Sequence, residues 1–193
     1  MEIREEGIDA LVEYASIPIA FEVREVLDVE PADGRLGGLR LAARMVDAPC
    51  VKDYDAIPGN RPTDWPARFD MSRWGIVSAW VEGARIGGAV VALDTAGVEM
   101  LEGRRDLAVL WDLRVAPARR GRGLGTLLFR AAERWAAGRG ARWLKVETQN
   151  VNVPACGFYA RQGCTLGAIH RFAYPDLPDE AQLLWYKRIR AEP

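Results

Sequence analysis

The chain has few of the residues that build metal sites and disulfide frameworks. Its 193 residues include one histidine, His170, and three cysteines, Cys50, Cys156 and Cys164, none of them in a Cys-x-x-Cys pair. Because zinc is held by several Cys or His ligands, the sequence predicts no metal site. Three thiols cannot all pair with one another, so we expect reduced cysteines and a cytoplasmic protein.

Long apolar runs are also absent. No run approaches the roughly 18 residues of a membrane-spanning helix, and the acidic start Met1 to Glu6 does not resemble a secretory signal. The net charge of −1 and the lack of a recognisable motif argue against a nucleic-acid partner. With 49% hydrophobic and 27% charged residues, the chain can bury the core of one domain. We therefore predict a single domain over residues 1–193, with neither a membrane nor a nucleic-acid partner.

The charges that are present are unevenly distributed. Residues 1–60 carry 13 acidic and 6 basic side chains, whereas residues 101–150 carry 5 acidic and 11 basic ones. Ordinary surface variation explains this asymmetry as well as a function does. The functional hypothesis is a basic region for an anionic cofactor and an acidic region that faces a cationic substrate.

Hydrophobic periodicity predicts most of the secondary structure after residue 75. A turn at Gly83-Ala84 joins two strands into a hairpin, and the helix that begins near Leu124 has an apolar stripe on one face. Asn152 is placed to cap a second helix, because its side chain accepts from free N–H groups of the first turn. The predicted strands cover residues 75–82, 85–93, 107–115, 142–149, about 164–172 and about 181–189, and the predicted helices run from 124 to the glycines at 138 and 140 and from 153 to about 163.

Residues 1–74 give weaker signals. We predict a short acidic helix over residues 1–16 and a strand over residues 19–29. Between residues 31 and 74 prolines and glycines interrupt the pattern, and a helix around Leu36 to Val46 is one interpretation. The order of elements indicates a mixed α/β fold around one sheet, with its core over residues 75–190.

A glycine-rich segment after the strand at 107–115 is the most informative motif. It has the sequence Arg119-Arg120-Gly121-Arg122-Gly123-Leu124-Gly125-Thr126. A strand, a glycine-rich turn and a helix direct several backbone N–H groups at one anion. Glycine costs a helix roughly 1 kcal/mol relative to alanine, so three at alternate positions indicate a ligand, which we predict to be a pyrophosphate. Incidental glycines at a helix start and a basic targeting patch are the alternatives.

Two other phosphate-binding loops do not fit this segment. A nucleotide P-loop requires lysine after its last glycine, where this chain has Thr126. A dinucleotide fingerprint requires Gly-x-Gly-x-x-Gly spacing. Residues 120–125 instead resemble the (Gln/Arg)-x-x-Gly-x-(Gly/Ala) loop of the GCN5-related N-acetyltransferases (GNAT). Residues 152–163, Asn-Val-Pro-Ala-Cys-Gly-Phe-Tyr-Ala-Arg-Gln-Gly, resemble that family's Asn-x-x-Ala-x-x-Phe-Tyr-x-x-x-Gly helix.

Within this superfamily the chain looks most like the streptothricin acetyltransferases and their relatives. The segments that carry this resemblance are Lys52 to Asp55, Leu107 to Val115, Glu147 to Asn150, Asn152 to Cys156, and Trp185-Tyr186.

The resemblance implies both a fold and a cofactor. The expected fold is α/β, a single mixed and mostly antiparallel sheet of about six or seven strands with a central splay and helices on both faces. The expected cofactor is acetyl-CoA, held by the glycine-rich loop, by the end of the preceding strand and by the later helix. The residues implied are Leu113, Arg114, Val115, Arg120, Gly121, Arg122, Gly123, Leu124, Gly125, Thr126, Asn152, Ala155 and Tyr159.

Two of these residues have implied chemical roles. The family places the phenol that matches Tyr159 near the cofactor sulfur, so Tyr159 is the candidate general acid for the leaving thiolate. A core aromatic on an amphipathic helix is the alternative. A backbone N–H near Leu113 is the expected donor to the thioester oxygen.

Two carboxylates are candidates for the base. An alkyl amine has a pKa near ~10.4 and arrives protonated. Asp112 and Glu147 lie on strands that we expect to be neighbours. Asp112 is a charge inside an apolar strand, and a salt bridge to Arg114 or Lys145 is the alternative interpretation. A water chain in place of a direct base is a further alternative.

Asp53, Tyr54 and Asp55 are candidates for an acceptor pocket that binds a cationic amine, and solvated loop residues are the alternative. The expected reaction is direct attack, in a ternary complex, by a primary amine of a small molecule such as a streptothricin-type antibiotic. A protein or peptide acetyltransferase and a non-catalytic acyl-CoA-binding module are the competing hypotheses. The oligomeric state stays open, and a homodimer is one alternative.

Overall fold

The structure, a computed structural model, describes residues 1–32 and 37–189. Its strands are β1 (Glu2–Glu6), β2 (Phe21–Pro31), β3 (Leu39–Lys52), β4 (Gly75–Val81), β5 (Ala84–Leu93), β6 (Leu107–Val115), β7 (Trp143–Gln149), β8 (Thr165–His170) and β9 (Gln182–Arg188). The helices are α1 (Leu11–Tyr14), α2 (Leu124–Ala137) and α3 (Val153–Arg161). Seven strands form one mixed sheet in the order β1-β4-β5-β6-β7-β9-β8, and β2 and β3 form a separate hairpin.

The chain divides into two compact units. The first consists of Met1–Ala20, Asp53–Lys145 and the chain from Lys187 onward. The second consists of Phe21–Lys52 and Val146–Tyr186. We describe each unit separately.

The first unit is built on four antiparallel strands, β1, β4, β5 and β6. The turn between β4 and β5 is Glu82-Gly83, with φ of 51° and 77°, and Ala84 already belongs to β5. Two positive φ values suit the right-handed twist of a two-residue hairpin. Helix α2 buries the predicted apolar stripe, and its members are Leu124, Leu128, Ala131 and Trp135.

The second unit contains the β2–β3 hairpin, the β8–β9 pair and α3. The predicted cap of α3 is confirmed, because the Asn152 carbonyl oxygen accepts from the Ala155 N–H at 3.2 Å. The buried Asn150 side chain joins two segments of this unit, since it donates to the Leu27 carbonyl at 3.1 Å and accepts from the Ala181 N–H at 2.7 Å. An amide with both of its groups bonded is stable in a buried position.

The helix predicted over residues 1–16 is largely wrong. Glu2–Glu6 is an edge strand that pairs with β4, from Glu2 opposite Trp80 to Glu6 opposite Ile76. Only Leu11–Tyr14 is α-helical. Acidic side chains suit an edge strand, because charge there opposes pairing with a second chain. The backbone bonds to β4 therefore outweigh the local helical preference.

The helix considered around Leu36 to Val46 is also wrong. Leu36 lies outside the described residues, and residues 39–46 belong to β3. Leucine, alanine and arginine favour helices, but β3 pairs with β2 along most of its length, for example Leu41 opposite Val29. Most of β3 is exposed, so burial leaves no alternating apolar signal in the sequence.

Candidate active site

The glycine-rich loop of the first unit is open where a ligand would approach. Gly121 and Gly123 have φ of 72° and 82°, a conformation that suits glycine, and a Cβ built on either would meet no atom within 4 Å. Gly123 is the N-cap of α2 and provides no side-chain cap. In the first turn of α2 the Leu127 N–H donates to the Gly123 carbonyl at 3.2 Å. The space beside Gly121 and Gly123, at the positive end of α2, is open.

The arginines of this loop have different roles. The Arg120 side chain donates to three backbone carbonyls, those of Pro18, Ala20 and Val115, at 2.9 to 3.0 Å. These bonds hold the loop against the end of β6 and against the segment at residues 18–20. The Arg120 guanidinium is therefore already hydrogen-bonded within the protein. Arg119 and Arg122 are exposed, and within residues 1–32 and 37–189 their side chains form no hydrogen bond or ion pair. Arg122 stands between the two open glycines.

The end of β6 presents backbone donors on the side away from β5. Along an antiparallel strand, alternate residues direct their N–H and C=O groups at the neighbouring strand. The Ala116 N–H donates to the Ile86 carbonyl, so the even-numbered residues at this end of β6 are the ones that face β5. Residues 113 and 115 then direct their N–H and C=O groups away from β5. The Val115 carbonyl accepts from Arg120 on that side. The register shifts between Val90 and Val91, opposite Trp111, which marks a bulge in the middle of the strand.

Arg114, predicted as a cofactor residue, has its side chain inside the first unit. The guanidinium is 1% exposed and forms a bidentate pair with Asp55 at 2.6 and 2.8 Å. It also bonds Asp112 at 3.0 Å. Burial alone would lower the pKa of Arg114, but the charge of Asp112 and the bonds to both carboxylates raise it above its ordinary value. This side chain therefore stays charged and paired, and only its backbone is available to a cofactor.

The same cluster accounts for Asp112 and Asp55. The Tyr14 hydroxyl donates to Asp112 at 2.5 Å, and the Tyr14 ring is accommodated because position 88 is glycine, where a Cβ would stand 2.7 Å from the ring. The geometry therefore supports a salt bridge for Asp112, with Arg114 as its partner. Lys145, the other partner considered, pairs with Glu102. The two neutralised carboxylates are poorly suited to accept a proton from a substrate.

The other two residues of the predicted acceptor pocket lie beside Asp55. The Asp53 side chain caps a 3₁₀ turn by accepting from the Asp55 N–H at 3.0 Å, and Asp53 is exposed. Tyr54 is partly buried within that turn. Asp53 therefore has a local structural role, and Asp55 is tied to Arg114 rather than pointing into solution.

Glu147 in the second unit is a carboxylate of a different kind. One oxygen accepts from the Tyr174 hydroxyl at 2.5 Å and from the Gln149 amide at 3.3 Å. The other accepts from the Gln182 amide at 2.7 Å. All three donors are neutral, and across the described ranges no cationic side chain pairs with Glu147. Tyr174 and Gln182 were not recognised from the sequence, because they lie far along the chain from residue 147 and belong to no motif.

Tyr159 is buried on α3 of the second unit, with its ring 5.0 Å from that of Phe158. Asn152 and Ala155 form the cap of the same helix. Cys156 is buried on α3 and its sulfur lies 3.3 Å from the Thr148 hydroxyl. Burial raises the pKa of the Cys156 thiol, so it is not an activated nucleophile.

None of the helices in the described part of the chain is both long and apolar enough to cross a membrane. The same residues contain no group of three or more His, Cys, Asp or Glu side chains that could hold a metal ion.

Comparisons with known proteins agree with this geometry. Residues 46–164 match the Acetyltransferase (GNAT) family. The chain is 32% identical to a streptothricin acetyltransferase of Escherichia coli over 169 residues, which is 86% of this chain and 84% of that protein. The chain therefore belongs to the GNAT family and is an acetyl-CoA-dependent N-acetyltransferase.

Solved structures confirm the predicted fold. A nourseothricin acetyltransferase superposes with a TM-score of 0.75 at 24% identity, covering 98% of each chain. A Bacillus anthracis protein assigned as a streptothricin acetyltransferase, solved with acetyl coenzyme A, superposes with a TM-score of 0.73 at 24% identity, covering 97% of this chain and 98% of that one. The α/β GNAT fold expected from the two motifs is thus correct.

Proposed function

We propose that this N-acetyltransferase acts on a primary amine of a streptothricin-type antibiotic and that Glu147 receives the proton of that amine. The observation that carries the proposal is the Glu147 carboxylate, which three neutral groups hold and no described cation neutralises. A partly buried carboxylate without a cation attracts one, and a substrate ammonium is the cation that this reaction brings. The relationship to the Escherichia coli streptothricin acetyltransferase supports the choice of antibiotic.

The chain offers a fitting place for the diphosphate of acetyl-CoA. The open glycines at 121 and 123 and the uncapped start of α2 suit an anion, and Arg122 adds an unpaired positive charge. Acetyl-CoA supplies the acetyl group as a thioester. The Leu113 N–H, on the side of β6 away from β5, is the donor that we assign to the thioester oxygen.

The proton transfers are assigned to two side chains. Glu147 takes a proton from the ammonium, which leaves a neutral amine able to attack the carbonyl carbon. The Tyr159 hydroxyl gives a proton to the departing thiolate, and the second proton that the nitrogen loses as the amide forms restores the phenol. Asp112 is not assigned a chemical step, because Arg114 neutralises it.

The acceptor is tested with purified protein, acetyl-CoA and three amines: streptothricin, a lysine-bearing peptide and a simple alkyl amine. Release of free thiol is measured for each. We expect turnover with streptothricin at a kcat/KM far above that with the other two. Turnover of the peptide alone would establish a protein or peptide acetyltransferase. A thermal shift with acetyl-CoA and no thiol release with any amine would indicate a non-catalytic binding module.

Tyr159→Phe is expected to lower kcat about 10²-fold, near the bottom of the range for lost general acid catalysis. The effect is limited because a thiol has a pKa near ~8.5 and the thiolate can leave unprotonated at a reduced rate. The KM values for both substrates should change little. Phe158→Leu, a change to the neighbouring ring that removes no hydroxyl, is the control and should retain most of kcat. A rate equal to wild type in Tyr159→Phe would show that another group is the acid.

Arg122→Ala is expected to raise the KM for acetyl-CoA roughly 5- to 10-fold without changing kcat. Among the described residues the side chain has no partner to lose, so we expect the change to remove mainly an attraction for the diphosphate, worth about 1 kcal/mol. Arg130→Ala is the matched control, because it removes an exposed arginine that lies about 9 Å along α2 from the first residue of the helix, beyond the Debye length at physiological salt. Equal effects of the two substitutions would exclude a specific role for Arg122.

A further inference from the structure

A segment between β8 and β9 provides a phenol to the Glu147 carboxylate. Tyr174 lies in this segment, which has turns at Leu177 and Glu180 but no helix or strand. Its hydroxyl donates to Glu147 at 2.5 Å and accepts from the Gln149 amide at 3.1 Å. The three side chains therefore form a directed chain of hydrogen bonds from Gln149 through Tyr174 to Glu147. A hydroxyl that accepts one bond donates a stronger second one.

The hydrogen-bonding arrangement fixes the carboxylate in one orientation. The Tyr174 bond occupies one oxygen of Glu147, and the Gln182 amide occupies the other at 2.7 Å. With both oxygens bonded, rotation of the carboxylate would break at least one bond. The oxygens keep further lone pairs for a substrate proton.

We infer that Tyr174 is a positioning residue for acetyl transfer: its hydroxyl orients the Glu147 carboxylate to accept the proton of the amine. This inference rests on the proposed role of Glu147. Removal of the hydroxyl should leave the carboxylate held by the Gln149 and Gln182 amides alone, and therefore less well oriented.

The surrounding charges are consistent with a phenol that remains protonated. Burial raises the pKa of Tyr174 well above its usual range, and the charge of Glu147 raises it further. The charge of Glu180 acts in the same direction, and Glu180 itself pairs with Lys52 at the end of β3. Gln149 and Gln182, the other neighbours of Glu147, are neutral. Tyr174 is thus a hydrogen-bond donor throughout the pH range of an assay.

The test compares kcat and the KM for the amine at saturating acetyl-CoA. In Tyr174→Phe, we expect kcat to fall roughly tenfold while the KM for the amine stays within about twofold of wild type, because a misoriented base loses rate but keeps the attraction of its charge. Tyr186→Phe removes a phenolic hydroxyl from β9 in the same unit and should leave both values in place. Thermal melts of both variants check that they fold.

A second arm separates this inference from the proposed role of Glu147. If Tyr174 acts through Glu147, adding Tyr174→Phe to Glu147→Gln should lower kcat less than twofold further. A slow Glu147→Gln variant together with a wild-type kcat in Tyr174→Phe would overturn the inference alone. A Glu147→Gln variant with the wild-type rate would overturn the role of Glu147 and the inference with it.

Discussion

Glu147→Gln is expected to lower kcat with streptothricin on the order of 10²–10⁴ at neutral pH, the range for loss of a general base. The amide has the size of the carboxylate but accepts no proton from the substrate. The fold should tolerate the change, because the Tyr174 hydroxyl and the Gln182 amide can reorient to bond an amide. Thiol release at saturating acetyl-CoA measures the loss, and the KM for acetyl-CoA should stay near its wild-type value.

The control is the same chemical change at a carboxylate that has a cationic partner. Glu133 on α2 is partly buried and pairs with Lys187 at 2.6 Å. Glu133→Gln should alter kcat less than twofold, although it loses a structural ion pair. A kcat for Glu147→Gln within a factor of three of the wild-type value would contradict the assignment of the base. Water would then be the better candidate for carrying the proton from the amine.

The chemical identity of the family is visible in the sequence because its signals are local. The loop at 120–125 and the helix cap at Asn152 each depend on residues within one turn of the chain, and the structure has both as predicted. Strand β7 alternates over its last four residues between buried and less buried positions, and β6 begins with an apolar run of five residues. Periodicity therefore locates them without any knowledge of tertiary contacts.

The roles of the individual carboxylates are not local properties. Asp112 and Glu147 are both acidic residues on strands, and the sequence ranks them nearly equally. What separates them is the partner: Arg114 for Asp112, and neutral donors for Glu147. The bond between Arg114 and Asp55 spans 59 positions of the chain. Side-chain partners at such separations are chosen by the tertiary fold, so no motif reveals them.

The N-terminal errors have a related cause. The hairpin of β2 and β3 is mostly exposed, and β1 is an edge strand, so neither has the apolar periodicity on which a prediction depends. Their conformation follows from backbone pairing with a partner strand. The glycines at 87 and 88 did carry a readable signal, since a glycine inside a strand often marks a close approach. Here they make room for α2 and for the Tyr14 ring.

Arg114→Met is expected to destabilise the protein by about 3–5 kcal/mol, the effect of removing one partner from a buried ion pair. The substitution leaves two carboxylates without their cation. The Asp112 side chain is 5% exposed and the Asp55 side chain is 16% exposed. It also removes the bond to the Ile17 carbonyl at 3.2 Å. For a chain of this length the melting temperature should fall by roughly 10 °C. Urea unfolding followed by circular dichroism measures the free energy directly.

Two further variants distinguish the loss of charge from the loss of packing. The first is the triple variant Asp55→Asn/Asp112→Asn/Arg114→Met, in which no carboxylate of this cluster is left unpaired. It should recover a substantial part of the stability that Arg114→Met loses, because uncharged replacements avoid the desolvation of isolated charges. Arg114→Lys keeps the charge but cannot form the bidentate pair with Asp55, so its stability should lie between those of wild type and Arg114→Met. A loss below about 1 kcal/mol in Arg114→Met would mean that the carboxylates find water or become protonated at little cost. In that case the ion pair with Arg114 would not exclude Asp112 from the reaction, and Asp112 would again be a candidate for the base.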